Sequence, residues 1–155
     1  MDILIQQVDQ LPSQIQDLVV ASEKEGFHFI QKLVDEFQQG TNQFNRHGEF
    51  LLLAFDEQKL VACGGLNIQM SDDEEANKAE AKYKIGRVRR FYVLPEYRRF
   101  GLARKLLQEL EKKAKPNFSA LCLFTGTKVA AQFYQKQNYV FVENHSNYNY
   151  FKYLI

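Results

Sequence analysis

The chain has 155 residues, 45% hydrophobic and 25% charged, a composition that fits one soluble globular domain with a single core. Its formal net charge of +1 gives no overall field that would draw it to nucleic acid or to a membrane surface. Cys63 and Cys122 lie in apolar runs, and no run approaches the roughly 20 apolar residues of a membrane span. Reduced core cysteines and the lack of a secretory signal pattern predict a cytoplasmic protein.

In chain order, the N-terminal part predicts a short strand at residues 2–6 and then two helices. Ser13 with Gln16 is typical of a capping box, and apolar residues at helical spacing follow it. Ser22 with Glu25 repeats this start signal, so we expect the second helix to begin there. Gly40 is expected to end it in the left-handed conformation.

The middle of the chain predicts three strands. Two apolar runs, at 50–55 and 60–68, flank a polar turn and indicate an antiparallel hairpin. The charged segment 71–82 has no apolar periodicity and is expected to be a loop. Alternation from 83 to 94 predicts a further strand that ends at Pro95, because proline cannot donate to the ladder.

The C-terminal part predicts a helix at 101–115, a strand at 118–124 and a helix at 128–137 with Asn138 as its left-handed cap. Two closing strands follow, at 139–143 and 149–154. The element order is therefore β-α-α-β-β-β-α-β-α-β-β. One mixed sheet covered by helices, an α/β or α+β layered domain spanning residues 1–155, accommodates this order.

The stretch between Pro95 and the following helix predicts an anion site. The N–H groups of residues 99–104 would converge at a helix N-terminus, where free donors and the helix dipole favour phosphate. Small residues at Gly101 and Ala103 let a phosphate approach the backbone. Nearby cations suited to phosphate are Arg98, Arg99 and Arg104. The glycine patterns of nucleoside triphosphatases and dinucleotide folds are missing. A solvated helix start, with Gly101 as a turn residue, is the alternative interpretation.

Two motifs carry a family resemblance. Residues 91–107, FYVLPEYRRFGLARKLL, resemble the central [RQ]-x-x-G-x-[GA] motif of the GNAT superfamily of N-acetyltransferases, which follows a hydrophobic strand. Residues 130–139, AAQFYQKQNY, resemble the A-x-x-F-Y-x-x-x-G-F motif of the same family. The resemblance implies a mostly antiparallel sheet of about six to seven strands with four helices. It also implies transfer of an acetyl or longer acyl group from acetyl-CoA to the primary amine of a small molecule or peptide.

The resemblance assigns cofactor contacts residue by residue. Backbone groups of Phe91, Tyr92 and Val93 would pair with the pantetheine arm. Thr127 stands where the family often has a cofactor-binding Asn, although it is equally suited to cap a helix. Lys136 would meet the ribose phosphate. The pyrophosphate would be held by the loop residues Arg98, Arg99, Phe100, Gly101, Leu102, Ala103 and Arg104.

By the same resemblance, Tyr134 is the catalytic acid that protonates the departing thiolate; packing beside Phe133 is its alternative role. Backbone N–H groups near Val93 would polarise the thioester carbonyl during direct attack by the amine, with no metal. Many family members have a Glu at the start of the fourth strand that acts as the general base. This chain has Arg87 there, and a guanidinium cannot accept a proton. Other candidate bases are Glu80, an acid among 72–75, His28, His145 or a water chain.

The acceptor and two alternative functions remain open at this point. Acids at 72–75 and the aromatic side chains Tyr148, Tyr150, Phe151 and Tyr153 suit a cationic amine. The aromatic C-terminus is also compatible with a homodimer. Because Arg87 replaces the base, a family member that binds acyl-CoA without turnover is one alternative. A nucleic-acid-binding module built on the cations of 82–105 is the other, although the net charge of +1 opposes it.

Overall fold

One sheet organises the computed structural model, which describes residues 1–70, 84–145 and 147–155. Its strands are β1 Ile3–Val8, β2 Phe50–Asp56, β3 Lys59–Ile68, β4 Ile85–Val93, β5 Ala120–Leu123, β6 Val140–Phe141 and β7 Tyr150–Tyr153. They lie in the order β1-β2-β3-β4-β5-β7-β6, and every neighbouring pair is antiparallel except β4 with β5. The predicted order of elements and the mixed, mostly antiparallel sheet are confirmed.

Four helices connect and cover these strands within the described residues. They are α1 Ile15–Lys24, α2 Phe29–Gln39, α3 Leu102–Ala114 and α4 Lys128–Lys136, and a short 3-10 turn, Pro95–Tyr97, follows β4. Each helix has an apolar face with polar residues opposite, so its stability comes mainly from packing that face on the sheet. None of the described helices is long and apolar enough to cross a bilayer.

Both predicted capping boxes were wrong. No side chain caps α1; instead the Ser13 carbonyl lies in a turn before the helix and accepts a backbone N–H at 3.2 Å. Ser22 does not begin a helix but is buried within α1, where its hydroxyl donates to the Val19 carbonyl at 3.0 Å. Burial of this face extends α1 past Ser22, and α2 starts only at Phe29. Gly40 ends α2 with φ 76°, as predicted.

The remaining elements end close to their predicted positions, except near the C-terminus. Asn138 takes the predicted left-handed conformation after α4, with φ 73°. The strand predicted at 139–143 is only Val140–Phe141; the Tyr139 N–H still bonds to the Tyr134 carbonyl of α4 at 3.0 Å, and Asn144, with φ 64°, lies beyond the strand. The two cysteines are fully buried, as their apolar surroundings predicted.

Two adjacent glycines in β3 let aromatic rings lie directly on the sheet. A Cβ added to Gly64 would come within 2.8 Å of the Phe91 ring, and one added to Gly65 would overlap the ring of Phe44. Neighbouring residues of a strand point to opposite faces. Phe44 and Phe91 therefore mark the two sides of the sheet, the first below α2 and the second below α4.

We expect Gly65→Ala to destabilise the protein by about 2 kcal/mol, because a methyl group at this position forces the buried Phe44 ring to move. Urea unfolding gives the free energy directly. Gly126→Ala is the matched control, since no atom lies within 4 Å of an added Cβ there. Equal stabilities of the two variants would contradict the close packing at Gly65.

Candidate active site

A β-bulge in β4 shapes the centre of the molecule. Cys63 pairs with Tyr92 and Gly65 pairs with Arg89, so the single residue between them on β3 faces two residues on β4. One of these, Arg90, has φ 57°. Positive φ is uncommon for residues other than glycine, so surrounding contacts must hold this conformation. Such bulges bend a strand and redirect its side chains.

Contacts from α2 and from β3 hold the bulge. The Arg90 guanidinium forms an ion pair with Glu36 of α2, with 2.7 Å between Nη2 and Oε1. The thiol of Cys63 donates to the Arg90 carbonyl at 3.1 Å. Beyond the bulge, the Tyr92 ring meets Phe29 of α2 edge-on at 6.0 Å between centroids. Phe91, next to Tyr92, lies on the other face of the sheet.

The sheet splits where β4 and β5 part. These parallel strands pair only from Ile85 with Ala120 to Arg87 with Cys122. Past that point β4 continues to Val93 with no strand beside it on the β5 side, among the residues described. The N-termini of α3 and α4 follow the ends of these two strands. Ligands of open α/β sheets bind at crevices outside the carboxyl ends of diverging parallel strands.

The loop into α3 carries a run of unbonded backbone donors. The first helical hydrogen bond joins the Lys105 N–H to the Gly101 carbonyl at 3.0 Å. In the described part of the chain, the N–H groups of residues 99–104 have no acceptor, and no side chain caps α3. Arg99 and Gly101 are both left-handed, with φ 71° and 78°. Alternating conformations of this kind form concave anion-binding nests, and a helix N-terminus adds its dipole.

Space over this loop is open. A Cβ at Gly101 would meet nothing closer than the Arg104 guanidinium, at 3.9 Å. The side chains of Arg99 and Arg104 are exposed, as is Phe100, of which 65% is accessible. The loop can therefore admit a phosphate to the backbone without rearranging the core.

The sequence predicted that Arg98 would contact the pyrophosphate, whereas in the structure its side chain binds other residues of the protein. Its guanidinium binds both carboxylate oxygens of Glu25, at 2.7 and 2.8 Å, and its Nε donates to the Val93 carbonyl at 3.0 Å. The Tyr92 hydroxyl donates to the same carboxylate at 2.5 Å. Hydrogen bonding from Arg98, with that from Tyr92, lowers the pKa of Glu25 despite partial burial. The side chain of Arg98 thus ties the end of α1 to the start of the loop.

Tyr134 of α4 lies beside the split. Its ring meets Phe91 of β4 at 6.2 Å, Phe133 at 5.1 Å and Tyr139 at 5.6 Å between centroids. Only 7% of the residue is exposed. Burial raises the pKa of the Tyr134 phenol, so the group keeps its proton at neutral pH.

The two remaining predicted cofactor residues occupy opposite ends of α4. Thr127 caps the helix, since its Oγ1 accepts the Ala130 N–H at 3.2 Å. This end faces the split. Lys136 is exposed in the last turn, where a cation suits the helix dipole.

A second cleft, of about 370 Å³, opens on the α2 side of β4. The segment that follows α2 lines it, together with the ends of β3 and β4, including Arg87 and Arg89. Arg87 is the residue at the position where the family resemblance led us to expect a catalytic Glu. Among the other candidate bases, His28 is paired with Glu23 at 2.7 Å, and the His145 ring stacks on Tyr148 at 3.7 Å. Glu80 and the acids at 72–75 lie outside the described residues.

Four cations of the β4 region have identified surroundings. Arg90 and Arg98 are ion-paired with Glu36 and Glu25, while Arg87 and Arg89 line the second cleft. The described cations Lys84, Arg99, Arg104 and Lys105 are exposed, and Lys82 lies outside the described residues. Nucleic-acid surfaces require cations that face solvent together to contact successive phosphates. The four cations with identified surroundings are not arranged in this way.

The sequence identifies the family of this chain. The sequence model of the acetyltransferase (GNAT) family matches residues 14–139. The chain therefore belongs to the GNAT acetyltransferase family, whose motifs the loop and α4 carry. No curated protein is significantly similar to it in sequence.

Solved structures agree on the fold. A protein of Exiguobacterium sp. 255-15, provisionally described as an acetyltransferase, has a TM-score of 0.80 and 24% identity over 99% of this chain and 94% of its own. A GNAT-family acetyltransferase of Staphylococcus aureus Mu50 gives 0.68 and 16% over 98% and 100%. The PaiA N-acetyltransferase of Thermoplasma acidophilum, solved with coenzyme A, gives 0.67 and 17% over 97% and 98%.

We expect Glu25→Gln to lower the stability of the protein at pH 7 by removing the carboxylate that binds Arg98. The folded pKa of Glu25 lies below its unfolded value of about 4.3, so its contribution is present above that pH and is lost as the pH falls through the folded pKa. Urea unfolding should show the gap between variant and wild type shrinking as the pH falls from 7 to about 3. Asp9→Asn, at an exposed carboxylate, is the control. A gap that does not change with pH would argue against this coupling.

Proposed function

We propose that this protein is an acetyl-CoA-dependent N-acetyltransferase. The observation that carries the proposal is the run of N–H groups at 99–104 that lack an acceptor and surround open space at the mouth of the split sheet. Unpaired donors at a helix N-terminus are suited to a pyrophosphate. Family membership and the coenzyme A bound to the Thermoplasma relative support the same donor.

In this proposal the pantetheine arm enters between β4 and β5. Edge groups of Phe91–Val93 that no strand pairs on this side would bond it as a strand bonds its neighbour, except the Val93 carbonyl, which accepts from Arg98 Nε. An N–H group of this edge would polarise the thioester carbonyl. The acceptor nitrogen attacks the carbonyl carbon, a C–N bond forms, and the C–S bond breaks to release the thiolate. Positioning of the two substrates would supply much of the acceleration.

Tyr134 is the proposed acid for the leaving thiolate. It is the tyrosine that packs against β4 at the split, and it is protonated at neutral pH. Its hydroxyl would donate a hydrogen bond and then its proton to the departing thiolate, and the resulting phenolate would regain a proton from solvent. The nitrogen of the attacking amine loses a proton to solvent or to a base not yet assigned, since Arg87 cannot accept one.

Tyr134→Phe should lower kcat about 100-fold while changing acetyl-CoA affinity little, because it removes the donor but keeps the ring packing. Steady-state kinetics and calorimetric titration measure the two effects. The control is Tyr153→Phe, at a tyrosine that is 71% exposed. Unchanged kcat in the Tyr134 variant would exclude the hydroxyl from the chemistry.

Gly101→Glu should abolish acetyl-CoA binding, because it places a bulky carboxylate where the pyrophosphate is proposed to lie. Gly40→Glu is a matched control, since Gly40 has nearly the same left-handed φ, 76° against 78°, and open space around its Cβ. Both variants should lose similar stability. In thermal melts, acetyl-CoA should stabilise wild type and Gly40→Glu but not Gly101→Glu. Retained binding in Gly101→Glu would place the donor site elsewhere.

A binding protein without turnover is the alternative that these experiments separate. It predicts tight acetyl-CoA binding sensitive to Gly101→Glu, with no product from a broad amine panel. Detectable turnover that depends on Tyr134 contradicts it.

A further inference from the structure

We propose that the acceptor of this enzyme carries an anionic group in addition to its amine, and that Arg87 and Arg89 bind that group. The inference rests on the proposed function and names the substrate class of the same site. It comes from the cleft on the α2 side of β4, which the donor site does not use.

The two arginines face the same space. They lie two residues apart on β4 before the bulge, so both side chains project from one face of the strand. Their partners across the sheet are Asn67 for Arg87 and Gly65 for Arg89. Gly65 carries no side chain, and the cleft of about 370 Å³ that both arginines line is large enough for a small acceptor.

Carboxylates of the cleft are already engaged elsewhere. Glu36 binds Arg90 at 2.7 Å. Glu49 accepts the Ile68 N–H at 2.9 Å and the Asn67 amide at 3.0 Å through one oxygen, and the Arg46 N–H at 3.1 Å through the other. Neither acid forms an ion pair with Arg87 or Arg89 within the described ranges, although both attract Arg89 electrostatically. Three cations of the described lining, Arg46, Arg87 and Arg89, face two carboxylates, Glu36 and Glu49, so the cleft carries surplus positive charge.

Arg87 also has a buried donor without an acceptor. Its Nε is one of the buried nitrogen atoms that make no hydrogen bond in the part of the chain described. A buried unpaired donor on a charged group is costly, and such groups are normally paired. Burial lowers the pKa of Arg87 and, with repulsion from Arg90 and Arg87, that of Arg89, yet both remain cationic at neutral pH.

A carboxylate or phosphate would satisfy this site. A guanidinium can bind two oxygens of one anion at once, which an ammonium cannot do. The second arginine would add charge and fix the orientation of the acceptor relative to β4. An acceptor with an anionic group differs from the cationic amine that the acids at 72–75 led us to expect. Those acids lie outside the described residues.

Matched acceptor pairs test the charge preference. Amino acids are compared with their amides, and aminoalkyl phosphates with the corresponding amino alcohols, at saturating acetyl-CoA. We expect kcat/KM to favour the anionic member about 10- to 100-fold, as charge-assisted hydrogen bonds do. A larger preference within the amino acid pairs would indicate a carboxylate, and a larger preference within the aminoalkyl phosphate pairs would indicate a phosphate. Preference for the neutral members would overturn the inference.

Variants assign that preference to the two arginines. Arg87→Gln and Arg89→Gln should each reduce it toward unity and leave the KM of acetyl-CoA unchanged. Arg87→Lys should recover only part of it, because the guanidinium is lost. Lys113→Gln, which removes one exposed charge from α3, should have no effect. A preference that survives both glutamine variants would contradict the assignment.

A binding readout separates this inference from the proposed function. In protein labelled with ¹⁵N-arginine, succinate or inorganic phosphate should shift the Arg87 Nε–H resonance, while succinamide should not. No shift from either anion in a protein that binds and uses acetyl-CoA would refute the acceptor class alone. A shift in a protein that transfers no acetyl group would refute the proposed function and leave the anion site standing.

Discussion

The bulge at Arg90 is the constraint on which the rest of the site depends. By placing two residues of β4 opposite one of β3, it changes which side chains face each side of the sheet. Arg87 and Arg89 face the α2 side before it, whereas Phe91 meets α4 after it. An unfavourable left-handed arginine persists because its guanidinium is paired with Glu36 and its carbonyl with the Cys63 thiol.

Strand β4 therefore borders both the proposed donor site and the proposed acceptor site. Its outer edge borders the split where the donor is proposed to bind, and its α2 face forms a wall of the cleft proposed for the acceptor. A reaction that joins two substrates needs their reacting atoms held a few ångströms apart. Lining both sites with adjacent residues of a single rigid strand meets this need without any domain movement.

Local signals in the sequence were sufficient for the order of elements and for the position of the loop between Pro95 and α3. Pro95, Gly101 and the leucines of α3 each act over a few residues, and the structure places them as predicted. Interactions between distant residues were not predictable from such signals. The Arg98–Glu25 pair spans 73 residues and the Arg90–Glu36 pair spans 54, so neither the bulge nor the position of Arg98 had a local signature. The capping box predicted at Ser22 failed because burial of Ser22 within α1 outweighed its local preference.

The burial of both cysteines has a practical consequence for experiments on this protein. Neither Cys63 nor Cys122 exposes any surface, and desolvation raises the pKa of the Cys63 thiol to about 12. Since the thiolate is the nucleophile toward disulfide and alkylating reagents, the cysteines of the folded chain should react very slowly with them. Aromatic disulfides that release a coloured thiolate can therefore be added to the folded protein to test the proposed transfer, because any coenzyme A thiol released would be detected with little background from the polypeptide.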